Sequence, residues 1–280
     1  MKVGVNVAVD SNAGDIGALA KKAEDLGFES IWMAEHPIIP VHSDSKYGGT
    51  PDGSIPPAMS DMADPFVSLA IASATTSKIM LGTSICLIPE HNPLVQAKQI
   101  AALDFHSGGR FIFGIGTGWL REETEIMGGD FEHRWTQARE AVEAMKEMWT
   151  KDEAEYHGRY FDFPPVRVFP KPAQKPHPPV FLGGAAKNVF KRVVTYGDGW
   201  MPVRATPETV RAGRASLDEL AEAAGRDPKS IQILVYNAAN RDEIHQMEEA
   251  GATMATVRLP STAEGQWGPE LEKLAEEMLG

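Results

Sequence analysis

Three short stretches of the chain carry groups whose type and spacing suit chemistry. Glu35-His36 sets a carboxylate beside an imidazole. An imidazole titrates near neutrality, so it gives or takes a proton under physiological conditions. These two are the candidate catalytic pair. Gly183-Gly184-Ala185-Ala186 joins an apolar run to the start of a helical one. Free N–H groups and the helix dipole at such a junction favour an anion such as a phosphate, and the missing side chains let it approach closely. Gly116-Thr117-Gly118 similarly leaves room for a flat ligand. A serine-hydrolase elbow is absent, because no Gly-x-Ser-x-Gly occurs. His42, His133, His157, His177 and His245 have no partner at metal-ligand spacing, and no metal site is expected.

The elements that must position these groups follow from hydrophobic period. Residues 3–9 alternate with period two and form the first strand, and Ile16, Leu19, Ala20, Ala23 and Leu26 recur at helical spacing before Gly27. Residues 30–34 are the second strand. Residues 37–63 have no usable periodicity, and a connection that long reads as an active-site loop or a mobile segment. Asp64-Pro65 opens the next helix, and residues 80–88 are the third strand. Asn92-Pro93 starts a helix that ends near His106, and Ser107-Gly108-Gly109 turns the chain into strand four at residues 110–115.

After a loop over residues 116–131, Trp135, Ala138, Val142, Met145 and Trp149 mark one helical stripe. Residues 155–163 suit a hairpin or an extended excursion, and residues 164–179, with seven prolines, an irregular surface run. Strands five to eight fall at residues 180–182, 199–203, 231–236 and 255–259, each followed by a helix. Eight strands alternating with helices predict an α/β fold, a (β/α)8 TIM barrel, since parallel strands need helical crossovers. One domain spanning residues 1–280 is expected, with insertions after strand two, strand four and helix four.

A barrel separates chemistry from stability: residues at C-terminal strand ends line the active face, and those just before strands serve the fold. Glu35-His36, residues 84–91 at the end of strand three, residues 116–121, Gly183-Gly184, Arg204, residues 237–240 and Arg258 fall on the active face. His106 and the Ser107-Gly108-Gly109-Arg110 turn fall on the opposite one, where a structural role is expected. A metal-dependent barrel hydrolase would show His-x-His at the end of strand one, where this chain reads Val7-Ala8-Val9-Asp10.

Bulk properties narrow the partners. A formal charge of −12 argues against non-specific nucleic-acid binding, and an anionic ligand would need backbone N–H groups or a local basic cluster. No apolar run approaches the ~18 residues that cross a membrane, and Met1-Lys2 leads straight into a strand, so a cytoplasmic protein is expected. The single cysteine, Cys86, fits a reducing compartment and reads as a small buried hydrophobe.

Taken in order, AEDLGFESIWMAEHPIIP, DPFVSLAIASATTSKIMLGTSICLIPEHNPLVQAKQIAALDFHSGGRFIFGIGTGWLREE and VFLGGAAKNVFKRVVTYGDGWMP resemble the luciferase-like monooxygenase superfamily, in particular its coenzyme F420-dependent branch. The resemblance covers nearly the whole chain. It implies a barrel, often dimeric, that binds F420 or a flavin such as FMN at the C-terminal face. It places a bulge with a non-prolyl cis peptide at Ser84-Ile85, beside Thr83, behind the cofactor ring. Glu35-His36 matches the family's acidic-His pair, and Gly183–Ala186 its phosphate loop. Two positions depart from the pattern. His91 stands where an arginine is common, and His106 where a leucine is common. The implied reaction is hydride transfer between F420 and a small organic substrate, with His36, oriented by Glu35, exchanging a proton. The alternatives are an FMN-dependent monooxygenase using oxygen, and a non-catalytic flavin-binding barrel.

Overall fold

The computed structural model describes residues 1–280. Its strands are β1 (Lys2–Val7), β2 (Ser30–Met33), β3 (Met80–Thr83), β4 (Cys86–Leu87), β5 (Phe111–Gly116), β6 (Ala154–His157), β7 (Asp162–Val166), β8 (Val180–Gly183), β9 (Gly199–Met201), β10 (Gln232–Val235) and β11 (Met254–Arg258). Its α-helices are α1 (Ile16–Leu26), α2 (Pro65–Thr75), α3 (Pro93–Ser107), α4 (Arg121–Ile126), α5 (Arg134–Thr150), α6 (Val189–Tyr196), α7 (Pro207–Ala223), α8 (Arg241–Glu249) and α9 (Trp267–Met278).

β1 pairs with β2 on one side and with β11 on the other, and every ladder around the ring is parallel. The sheet therefore closes on itself. β3 and β4 are two halves of one barrel strand, so the barrel has the eight strands that the alternation predicts. The break between the halves is a register slip against β5. Gly82 pairs with Ile112 and Cys86 with Ile115, so four residues advance against three. The residue gained is a bulge, and Ser84-Ile85 within it is a cis peptide, as the resemblance implies.

The barrel's lumen is packed with side chains. Trp32, Ile112, Phe181, Met201, Leu234 and Met254, one from each of six strands, form a buried cluster of their own. The two large rings fit because neighbouring strands present glycine. A Cβ on Gly82 would lie 2.2 Å from Trp32, and one on Gly199 would lie 2.6 Å from Phe181. The larger core lies between the strands and the helices.

Helix starts follow the caps read from sequence. Asp64 accepts from the Val67 N–H at 2.8 Å, and Asn92 from the Leu94 N–H at 3.0 Å. On the N-terminal face, buried Arg110 donates to the carbonyls of Ser107, Ile79, Ser73 and Thr76. The Ser107–Arg110 turn thus ties strand ends to helix ends. Cys86 is fully buried, and burial pushes its thiol pKa up.

Three local expectations change. Within the loop after β5 lies α4, too short and too charged to show an apolar stripe. Residues 37–63 hold a 3-10 turn, Pro57–Asp61. Pro164 and Pro165 lie inside β7, in a two-stranded ribbon where a missing N–H is tolerated on the outer edge. No helix is long and apolar enough to cross a membrane.

Candidate active site

A cavity of about 560 Å³ opens at the C-terminal ends of the barrel strands, lined by residues at or beyond those ends together with Tyr47, Met59 and Met62 of residues 37–63 and Arg134 and Trp135 of α5. Eleven of the twelve site residues read from sequence line this cavity. Ser84, Ile85, Gly116, Thr117, Gly118, Gly183, Gly184, Ala185 and Ala186 all line the cavity, as do Glu35 and His36. Thr83 does not. It is fully buried, and its hydroxyl donates to the Gly114 carbonyl at 2.7 Å, which binds β3 to β5 beneath the cavity.

The side chain of Ile85 forms a wedge between two strand ends. A Cβ on Gly116 would sit 1.9 Å from its Cδ1, and a Cβ on Gly183 would sit 3.2 Å from its Cγ2. These two glycines therefore make room for Ile85, which corrects the expectation that their missing side chains admit a ligand directly. The result is a flat aliphatic wall. Beside it the Ser84 hydroxyl is buried with no protein partner.

Beyond Gly183 the chain does not enter a helix at once, contrary to the junction read from sequence. α6 starts at Val189, and residues 184–188 form an open turn. Gly184 has φ of 113°, a left-handed conformation that favours glycine, and a Cβ there would meet nothing within 4 Å. Its own N–H is used, donating to the Met201 carbonyl at 3.0 Å. The N–H groups of Ala185, Ala186, Lys187 and Asn188 donate to nothing in the protein, and Asn188 gives α6 no side-chain cap. The anion-binding capacity therefore sits in the turn and the uncapped first turn of α6.

Glu35 and His36 are both present but do not pair. His36 Nδ1 lies 2.7 Å from Oε2 of Glu123, a fully buried residue of α4. Glu35 accepts the Leu87 N–H at 2.5 Å, and its Oε1 lies 2.8 Å from Nε2 of His91. Glu35 thus secures β4, and Glu123 is the group that orients His36. A carboxylate accepts only, so Nδ1 carries the proton and Nε2 remains the free nitrogen of the ring. The His36 ring meets Trp119 edge-on, with centroids 5.9 Å apart. His91 is held by Glu35 and is not part of the cavity wall. Burial works against charge on His91, but the hydrogen bond to Glu35 together with the charges of Glu35 and Asp64 outweighs it, and the pKa is raised.

Glu90 lies next to this network. It is buried, one oxygen accepts from the Thr124 hydroxyl at 3.1 Å, and the other has no partner. Burial first, and then the charge of Glu123, push its pKa up to about 8. Glu35, Cys86 and His91 bring donor atoms within 4.8 Å of one another. Each already has a protein partner, and the raised Cys86 pKa keeps a proton that a metal would have to displace.

A family model described as luciferase-like monooxygenase matches residues 1–267. The chain belongs to the luciferase-like monooxygenase family. It is an oxidoreductase. An uncharacterised protein of Mycobacterium tuberculosis (strain H37Rv) is 37% identical over 265 residues, 92% of each chain. A protein of Amycolatopsis mediterranei named F420-dependent glucose-6-phosphate dehydrogenase is 25% identical over 99% of this chain and 81% of its own. The crystal structure of monooxygenase RslO1 from Streptomyces bottropensis shares the fold, with a TM-score of 0.81 and 20% identity over 100% of this chain and 99% of that one.

Within this luciferase-like barrel, Trp119, Asn237 and Arg258 line the cavity from stretches that the strand-end rule marks as candidates. Sequence reasoning missed Tyr47 and Arg134, which also line it, and Asn6, which sits at the end of β1 where that rule alone could have found it. Glu123 had no signal. It is one of three glutamates in Arg-Glu-Glu-Thr-Glu, and only the three-dimensional path of residues 34–38 selects it.

Proposed function

We propose that this protein transfers a hydride between coenzyme F420 and a small organic substrate. The observation that carries this reading is the pairing of a flat aliphatic wall at Ile85 with an N–H-rich turn at residues 184–188 on one cavity. A tricyclic ring with a phosphate arm needs both. The volume of about 560 Å³ falls in the range of small-molecule sites, roughly 300–1,000 Å³. The unpartnered Ser84 hydroxyl and the open space beside Gly184 also fit such a group. The name of the Amycolatopsis relative supports F420 as the cofactor.

Ser84-Ile85 would back the ring, Gly116-Thr117-Gly118 would flank it, and Gly183-Gly184-Ala185-Ala186 with the following turn would hold the phosphate. Bound there, F420 supplies the hydride chemistry. The chain supplies position and protons. Glu123 fixes the tautomer of His36, and Nε2 of His36 exchanges a proton with the substrate. Tyr47 and Trp119, with ring centroids 5.2 Å apart, close one side and exclude water. A homodimer is proposed as well, on the evidence of Val67, Ile71, Val95 and Phe105, apolar residues exposed on α2 and α3.

A second reading, an FMN-dependent monooxygenase, is favoured by the family description and by the fold shared with RslO1. Oxygen separates the two. Reduced F420 should be oxidised anaerobically when an organic acceptor from a carbonyl and enone panel is present. Turnover only with reduced FMN and oxygen would establish the second reading instead.

A further inference from the structure

Two arginines near the turn of residues 184–188 hold hydrogen-bonding capacity that the protein does not use. Arg134 opens α5 and lines the cavity. Its Nη1 donates to the Phe131 carbonyl at 2.6 Å and its guanidinium lies 3.9 Å over the Phe131 ring, but its Nε is buried without a partner. Arg192 lies in the first turn of α6, its guanidinium 4.3 Å from the centroid of Trp135, another cavity-lining residue. It forms no ion pair, and its Nη1 is also buried without a partner. Buried donors without acceptors are costly, and a native structure that keeps two on neighbouring cations calls for an anion.

The charges around them point the same way. Burial lowers the pKa of Arg134; Glu132 partly offsets this, while Arg121 and Arg192 add repulsion. The Glu132 carboxylate is itself engaged by Arg121. Burial also lowers the pKa of Arg192, and the first turn of α6 contains no acid. Arg134 shares its cavity with Ala185 and Ala186, whose N–H groups are unused, and Arg192 follows that turn by one turn of α6. A cationic corner on a chain of net charge −12 is a local feature of the site.

We propose that Arg134 and Arg192 form a clamp for the phosphate-bearing arm of the bound cofactor, next to the turn of residues 184–188. The identification of that arm with the phosphodiester of F420 rests on the function proposed above. A phosphate is common to F420 and FMN, so the test uses both, each beside its phosphate-free form. Wild-type protein, freed of bound flavin, and Arg134→Gln, Arg192→Gln and Arg192→Lys are titrated with F420, its phosphate-free deazaflavin riboside, FMN and riboflavin, following cofactor fluorescence.

A charge-assisted contact to phosphate is worth about tenfold in affinity or more. Each Gln variant should therefore lose about tenfold or more toward the phosphate-bearing member of a pair and little toward the phosphate-free one. Arg192→Lys should lose less than Arg192→Gln. Retained binding of the phosphate-free form shows in the same titration that the fold is intact. If FMN binds in place of F420 and loses its advantage over riboflavin in the variants, the clamp stands and the F420 reading falls. Equal loss for both members of a pair, or no loss for either, in all three variants would overturn the clamp. Unchanged cofactor affinity would leave the two arginines with no part in holding that arm.

Discussion

His36 and Glu123 lie 87 positions apart in sequence and 2.7 Å apart in space. Their pairing decides what the imidazole can do, because the carboxylate fixes the proton on Nδ1 and leaves Nε2 as the free nitrogen of the ring. With an assay established, His36→Ala should cost about 10²–10⁴ in turnover, the usual worth of a positioned acid or base. Glu123→Gln should cost part of that and shift the pH profile, with cofactor affinity unchanged in both. Full activity in Glu123→Gln would remove it from the mechanism. Glu90 offers a separate test by stability. Its folded pKa of about 8 stands above the ordinary 4.5, so the native state holds the extra proton between those values. Its contribution is full below about pH 4.5 and is lost as pH rises to about 8. Thermal unfolding of Glu90→Gln should therefore match wild type at pH 4 and exceed it at pH 9; a parallel offset at both would contradict the shift. The adjacency of Glu35 and His36 was legible in the sequence, but their partners were not. Neighbouring residues beyond a strand end point to different surroundings, and those surroundings are assembled from β4, α3's approach and α4.

At the scale of elements, α4 has the largest effect for its length. Its two adjacent glutamates hold the chain that follows β2. Glu123 takes His36 and the Ile38 N–H, and Glu122 takes the Asp44 N–H at 2.8 Å and the Ser43 hydroxyl at 3.0 Å. Hydrogen bonds, led by the one from Ser45, hold the Glu122 carboxyl down to about 2. The tether is thus fully present above about pH 4.5 and is lost as pH falls through about 2. Residues 37–63 are therefore fastened at neutral pH rather than a free lid. Glu122→Ala should speed amide hydrogen exchange at Asp44 and Ser45 with little change in melting temperature, and unchanged exchange would show that other contacts hold the segment. The barrel strands and the capped helices were readable because period and caps are local signals. α4 was not, since its six residues, four of them charged, fold there only by packing onto what precedes and follows them.

For the whole molecule, the barrel explains why one face carries the site. The lumen below is filled by Trp32, Phe181 and their neighbours, so a ligand can enter only from the C-terminal ends of the strands. The net charge of −12 would repel an anionic cofactor at long range, whereas the turn of residues 184–188 offers unused N–H groups at contact. Eightfold alternation made the architecture legible, and the strand-end rule located most of the wall. What sequence could not supply was which side chain fills which gap, as with Ile85 between Gly116 and Gly183. We propose that this cavity selects a deazaflavin with an anionic arm, and a fluorescence titration of the cofactor-free protein with F420 and with FMN, at matched ionic strength, decides it. Saturable F420 binding at least tenfold tighter than FMN binding is the predicted result, and tight FMN binding with no F420 binding would contradict it.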